Sequence, residues 1–326
     1  MKTDYRSLFR GLKKGLYFVE NFAKYIVPNP LYNFCFSLKM KTLSKEEKAI
    51  MERRASHYMR LPDGAKVNVE NSRLVGDYKF PFGEKHKYSA YFFDLYETVR
   101  CFNPNYRFHH IFGDVDYETE QPTFVKSRPI GRETYNSVIC RLNKVRHFRF
   151  IHDRMNYRDK KDMLIFRNVV RKQPQRTNFL KLYAQHPLCD AGQINNDTNL
   201  DHPEYHKTFV TLDEQLKYKF IACIEGHDVA TNLKWVMSSN SVAVMPRPKI
   251  ESWFMEGELK GGYHYIELKD DYSDLEEKLN YYIAHPEKAE EIIQHAHEYV
   301  NKFRNKKLEQ CIQYRVMQKY FEKTNS

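Results

Sequence analysis

The chain has 326 residues, 41% of them hydrophobic, and a formal net charge of +11. That length fits one large domain or two of ordinary size with a sizeable core, and the charge favours an anionic partner such as a membrane surface, a nucleotide or a nucleic acid. Six cysteines without a C-x-x-C pair exclude a zinc ribbon and a redox dithiol and fit a reducing compartment, and no run of about 18 apolar residues offers a spanning helix.

The amino terminus, MKTDYRSLFRGLKKG, has neither an apolar h-region nor a cleavage site, so no signal peptide is expected. Residues 1–27 carry the pattern of a basic amphipathic helix. At about 100° per residue, Leu8, Phe9, Leu12, Leu16, Val19, Phe22, Ala23 and Ile26 share one face, and Lys2, Arg6, Arg10, Lys13 and Lys24 the other. Pro28 and Pro30 end it. Two readings stand: an interfacial helix on an anionic leaflet, or a domain helix with a solvated basic face. Ser44 and Glu47 have capping-box spacing, so a helix starts near Lys45. Val67 to Val69 and Leu74 to Val75 read as strand pieces. Ser89 to Arg100 reads as a helix, and Arg107 to Phe112 as a strand ending at Gly113.

Asp114 follows that strand and glycine, at a strand end where a side chain can face a ligand. A turn aspartate bonded to its own backbone is the alternative. Asp114-Val115-Asp116 is also a D-x-D triplet, a pattern of hard oxygen ligands for a divalent metal. Lys126, Ser127 and Arg128 follow, either as cations for an acidic ligand or as a bracing loop stiffened by Pro129. The hinge between the two halves is placed near Asn156 to Asp162. Met163 to Phe166 reads as a strand followed by Arg167. Phe220 to Ile224 is a short apolar run of buried-strand type, broken by Gly226. Asp228 or Thr231 caps the expected next helix, with Leu233, Trp235 and Val236. Ser241 to Met245 is another buried strand. Such alternation builds a parallel sheet with right-handed crossovers, whose ligand lies beyond the carboxyl ends of the strands. The turn from Glu225 to Asp228 is therefore the expected anion site, at a helix N-terminus. After His297 the chain reads as one long helix, with Tyr299, Val300, Phe303, Leu308, Ile312, Val316, Met317 and Tyr320 as its apolar face.

Several segments, in order, carry a family resemblance: FGDVDYETEQPTFVKSRPI (Phe112 to Ile130), FRNVVRKQPQR (Phe166 to Arg176), HPLCDAGQ (His186 to Gln193), G-x-x-x-A-x-N-L-K-W (Gly226 to Trp235), SNSVAV, E-x-W-F (Glu251 to Phe254) and HYIELKDDYSDL (His264 to Leu275). The set resembles glycosyltransferase family 90, and within it the bacterial lipopolysaccharide-modifying branch. The resemblance implies an α/β protein of GT-B type, two Rossmann-like domains facing a cleft: an acceptor-side domain over 1–160, a nucleotide-sugar domain over 161–304, and a helix over 305–326 crossing back to the first.

It also implies an inverting transfer of a glucose-, galactose- or xylose-class sugar from a UDP-sugar to a hydroxyl of a lipopolysaccharide or lipooligosaccharide core, with no cofactor or metal required. Asp114 aligns with the family's catalytic base. Arg167 aligns with the arginine of an F-R-G motif in which Asn168 replaces the glycine, and Arg176, one residue from Gln175, stands near a nucleotide-binding arginine. Gly226, His227, Asp228, Asn232 and Lys234 would frame the nucleotide. Asn232 stands where eukaryotic relatives carry arginine, which leaves Lys234 to supply the charge or to face solvent. Glu251 would hold ribose or sugar hydroxyls beside Trp253, a buried packing residue in the alternative. Arg171 and Lys172 fit a solvated loop. Lys126, Ser127 and Arg128 fall on the acceptor side. The expected setting is cytoplasmic, peripheral on the inner face of a bacterial inner membrane, without nucleic acid. Two other classes remain: a metal-dependent GT-A-type transferase using Asp114 and Asp116, and a non-enzymatic basic module binding lipid or nucleic acid.

Overall fold

The computed structural model describes residues 5–81, 88–131, 135–171, 173–195 and 202–325, with side chains from Gly11 onward, Lys13 excepted. Lys2 and Lys172 therefore lie outside the described residues. The chain divides into two units, residues 1–146 with 305–326, and residues 147–304. The first division falls ahead of the 156–162 segment where the sequence put the hinge.

The first unit opens with helices α1 (Tyr5–Ile26) and α2 (Asn29–Lys41), separated by Val27-Pro28 because proline cannot continue a helix. Helix α3 (Lys45–Tyr58) begins with the expected capping box: Ser44 accepts from the Glu47 amide and Glu47 from the Ser44 amide. Strand β1 (Arg73–Leu74), helix α4 (Ser89–Val99), strands β2 (Arg107–His110), β3 (Thr123–Val125), β4 (Ser127–Pro129) and β5 (Ser137–Ile139), and the short α5 (Lys144–His147) follow. Val67 to Val69 forms no strand; with two valines around a polar Asn68 the run is too short and too wet to nucleate a ladder. The sheet order is β1-β2-β3-β5, with β1 antiparallel to β2 and the other pairs parallel.

Helix α1 docks on α4 through Tyr17, which donates to Asp94 Oδ1 at 2.6 Å, and through Phe22, whose ring lies edge-on to Phe93 at 4.7 Å. Its outer stripe of Leu12, Leu16, Val19 and Ile26 is exposed, as are Leu31, Phe34 and Leu38 of α2. Helix α11 (Lys306–Thr324) closes this unit. It packs on α3 through a fully buried ion pair between Arg54 and Glu309, which Tyr58 joins, and on β3 through Tyr320, whose ring lies tilted 4.2 Å from that of Phe124. The long helix expected after His297 is two helices, because the chain breaks at 302–305 and Asn305 caps a fresh start by accepting from the Leu308 amide.

The second unit is a parallel sheet of β6 (Lys161–Asn168), β7 (Cys189–Gln193), β8 (Tyr218–Ala222), β9 (Val242–Pro246) and β11 (Ile266–Leu268), in spatial order β11-β9-β8-β6-β7. Helices α6 (Pro174–Tyr183), α7 (Leu212–Gln215), α8 (Leu233–Val236), α9 (Leu275–Ala284) and α10 (Pro286–Asn301), and the short strand β10 (Ile250–Ser252), complete it. In order of appearance the strands lie 2-1-3-4-5, a doubly wound arrangement whose order reverses between the first strand, β6, and the third, β8. Its core is built from Leu164, Phe166, Phe179, Phe220, Val242, Val244, Ile266 and Leu275. The fold is thus mixed α/β.

Candidate functional site

In the first unit, Gly113 takes φ +109°, a value that favours glycine, and turns the chain so that Asp114 stands clear of the strand. Its side chain is 44% exposed and ion-paired at 2.7 Å with Lys126, whose own side chain is 3% exposed. Ser127 is fully buried and donates to the Val115 carbonyl at 3.0 Å, which pins the loop that carries Asp114. Arg128 is a brace: fully buried, it donates to the carbonyls of His57, Tyr58 and Ser137. Of the three expected acceptor residues, Lys126 pairs with Asp114, and Arg128 is too buried to meet a charged saccharide. Asp116 is exposed, with buried Val115 between it and Asp114. No cluster of three metal-ligating side chains occurs among the described residues.

In the second unit the reversal between β6 and β8 gathers several side chains beyond the carboxyl ends of these strands. Arg176, on the first turn of α6, donates to the Val169 carbonyl after β6 at 2.9 Å and to the Ile224 and Glu225 carbonyls after β8 at 3.0 and 3.2 Å. Gln175 donates to the Glu225 and Gly226 carbonyls at 3.2 and 2.6 Å, so both neighbours face this loop. A β-carbon on Gly226 would meet the Arg176 guanidinium at 3.0 Å, which is why the loop can lie this close. Glu225 accepts the Lys249 and Ile250 amides, each at 3.2 Å, and burial pushes its carboxyl up to about 7. The sequence reading placed Glu225 in the expected anion turn but gave it no role of its own. Its signal was its place as the first polar residue after the apolar run from Phe220 to Ile224.

Other expected residues lie elsewhere or play other parts. Arg167 is tied to Asp190 Oδ1 at 2.6 Å and to the Asp190 carbonyl at 2.7 Å, back along the sheet. Lys207 and Tyr218 also bond Asp190, and these donors hold its carboxyl down to about 2. A guanidinium so engaged offers little to a diphosphate. Lys234 is fully buried and ion-paired with Glu256, which also accepts from Ser252, so its charge secures the 251–256 segment and not a ligand. Asn232 donates to the Ala222 carbonyl at 2.9 Å. The helix expected directly after Gly226 begins only at Leu233 and runs four residues; its dipole is too short to serve as the anion site. His227 is exposed, Asp228 is buried and its carbonyl accepts the Gly226 amide at 2.9 Å. Glu251 and Trp253 are both buried, Trp253 as a packing residue.

Two comparisons bear on this arrangement. The model of glycosyl transferase family 90 matches residues 139–324. The chain is 43% identical over 237 residues, 73% of its own length and 74% of the relative's, to the O-glucosyltransferase LpsA of Dichelobacter nodosus. A 94-residue stretch is 37% identical to the uncharacterized protein 179R of Invertebrate iridescent virus 6, and covers 8% of that protein.

Proposed function

From the chain's membership of glycosyl transferase family 90, which makes it a glycosyltransferase, we propose that it transfers a glucose-class sugar from a UDP-sugar to a hydroxyl of a lipopolysaccharide or lipooligosaccharide core, with inversion and without a metal. The proposed division of labour is of GT-B type: the first unit receives the acceptor and the second holds the nucleotide. The observation that carries the donor half is the 2-1-3-4-5 sheet, because ligands of such sheets bind where the strand order reverses, and Arg176, Gln175, Glu225 and Gly226 meet there. The Dichelobacter relative is named an O-glucosyltransferase, which supports glucose as the sugar.

In this mechanism the acceptor oxygen attacks the anomeric carbon. Asp114 takes the hydroxyl proton as the new C–O bond forms. The bond to the diphosphate oxygen breaks, and UDP leaves with that electron pair. Lys126 holds the Asp114 carboxylate in place. In this reading Arg176 stabilises the growing negative charge and Glu225 accepts hydroxyls, while Glu251, buried like Trp253, supports the loop behind them. Arg167 and Lys234 act behind this layer as supports.

A peripheral position on the inner face of a bacterial inner membrane completes the reading. No described helix is long and apolar enough to cross a membrane, and the exposed apolar stripes of α1 and α2 lie in a basic segment, residues 5–41, that holds seven lysines and arginines and one acidic residue, Glu20.

The test is thermal unfolding with UDP, GDP or CMP, each with and without EDTA. UDP alone should stabilise, by about 2.7 kcal/mol at one hundred times its Kd, and EDTA should leave the shift intact. A shift abolished by EDTA would transfer the proposal to the Asp114–Asp116 metal route, and no shift with any nucleotide would refute the donor assignment.

A further inference from the structure

The segment from His264 to Leu275 is one of those that carry the family resemblance. Its turn, Lys269 to Asp274, joins β11 to α9. Within that turn Tyr272 takes φ +63°, the left-handed region, which a side chain as bulky as tyrosine's rarely enters. The backbone there is held from several sides. The Tyr272 amide donates to the Lys269 carbonyl at 2.9 Å, and its own carbonyl accepts the Leu275 amide at 3.1 Å and the Tyr183 hydroxyl. Glycine or asparagine would fill this position with less strain. Strained residues persist only where the surrounding structure over-determines them, and they cluster at functional sites.

What tyrosine adds here is its side chain. Tyr272 is 2% exposed, its ring lies edge-on to Phe179 of α6 at 5.3 Å, and its hydroxyl donates to the Gln175 carbonyl at 3.0 Å. Burial pushes that hydroxyl up to about 12, so it stays a donor at neutral pH, and the charges of Glu225 and Arg176 both act on it. The Gln175 carbonyl belongs to the peptide that joins Gln175 to Arg176, the two residues whose side chains bond the 224–226 loop. A peptide is planar, so fixing its oxygen sets the direction of both neighbouring α-carbons. Tyr183, in the last turn of α6, donates to the Tyr272 carbonyl. Tyr272 is thus tied to both ends of α6.

We propose that Tyr272 is a positioning residue for nucleotide binding: its hydroxyl sets the Gln175–Arg176 peptide against the loop at Gly226, and so the shape of the wall that receives the donor diphosphate. The inference rests on the reading of this end of the sheet as the donor site. It adds a residue that acts through Gln175 and Arg176. A misplacement of about 1 Å, even from a change remote from the chemistry, can cost a large factor in rate.

The test is isothermal titration of UDP into the full chain, for the wild type, Tyr272→Phe, Gln175→Ala and the double variant, beside their ligand-free melting temperatures. Tyr272→Phe keeps the ring against Phe179 and removes one hydrogen bond. UDP should then bind about three- to tenfold more weakly, with the ligand-free Tm within about 4 °C of the wild type. Gln175→Ala should weaken UDP by a similar factor. The double variant should bind no more weakly than the weaker single, because both changes loosen the same peptide from the same loop. Unchanged UDP affinity in Tyr272→Phe overturns the proposal, and so do single-variant factors that multiply in the double variant. A Tyr272→Phe chain that does not fold assigns the hydroxyl to stability and overturns it equally. A wild type that binds no UDP removes the donor reading and this inference with it, whereas equal UDP binding by wild type and Tyr272→Phe removes the inference alone.

Discussion

Asp114 owes its position to two neighbours of opposite kind, a glycine that turns the chain and a buried lysine that holds the carboxylate. Asp114→Asn should abolish transfer and leave the UDP melting shift intact; a variant with more than a few per cent of wild-type kcat would remove this residue from the role of base. Glu225 gives a pH prediction. In the folded protein its proton leaves only near pH 7, whereas in the unfolded chain it leaves near the ordinary glutamate value of about 4.3. Between these values the folded state binds more protons, so this group lowers stability as pH rises through the window, and stability settles at a reduced level above it. Glu225→Gln should flatten the fall of Tm between about pH 4.5 and 7 and melt above the wild type at pH 8; a variant that melts lower at pH 8 would sink the assignment. The place of Asp114 after a strand and a glycine was legible from the sequence because strand ends and glycine turns are local signals, whereas Arg176 was named from the family resemblance. The uses of Arg128 and Lys234 were not legible. Arg128 finds its acceptors some 70 residues back, at His57 and Tyr58, and Lys234 its carboxylate 22 residues on, at Glu256.

Elements were readable where their stop signals are local. The capping box at Ser44 and Glu47 and the proline break after α1 stand where the pattern places them, and β8 and β9 lie within two residues of the expected apolar runs. The 226–232 loop defeated the same logic. No side chain caps α8, and Asn232 spends its amide on β8 instead, so the helix expected from a cap at Asp228 or Thr231 starts later and runs one turn. The break before α11 was hidden by an apolar period that runs across it. Helix α11 carries a prediction of its own. Arg54 and Glu309 are buried as a pair, and removal of one partner leaves an uncompensated charge, at a cost of about 3–5 kcal/mol. Glu309→Leu should therefore lose stability on that scale in denaturant titration. The double variant Arg54→Met with Glu309→Leu should regain much of the loss; strictly additive losses would show that the pair is not a unit.

The order of the second sheet was beyond a reading of local pattern. It places β7, formed second, at the edge and β8 beside β6, and that choice is made by contacts between segments about fifty residues apart. Alternation of strand and helix gave the class; the register and the reversal point came from packing. The exposed stripes of α1 and α2 were half legible: the helical wheel found the apolar side of α1, but not that α4 would take the Tyr17, Asn21 and Phe22 side and leave Leu12, Leu16, Val19 and Ile26 outside. Leu16→Glu with Val19→Glu should cut binding to vesicles containing anionic lipid at least tenfold with little change in Tm; unchanged vesicle binding would remove the interfacial reading. The placement of α11 also sets a schedule for synthesis. The faces of α3 and α4 that it covers leave the ribosome before residues 147–304, and their cover only afterwards. At about 5–20 residues per second that delay is on the order of ten seconds. The second unit has time to fold on the nascent chain while the first waits with an open apolar seam around Arg54, which makes that seam the natural point of engagement for a chaperone.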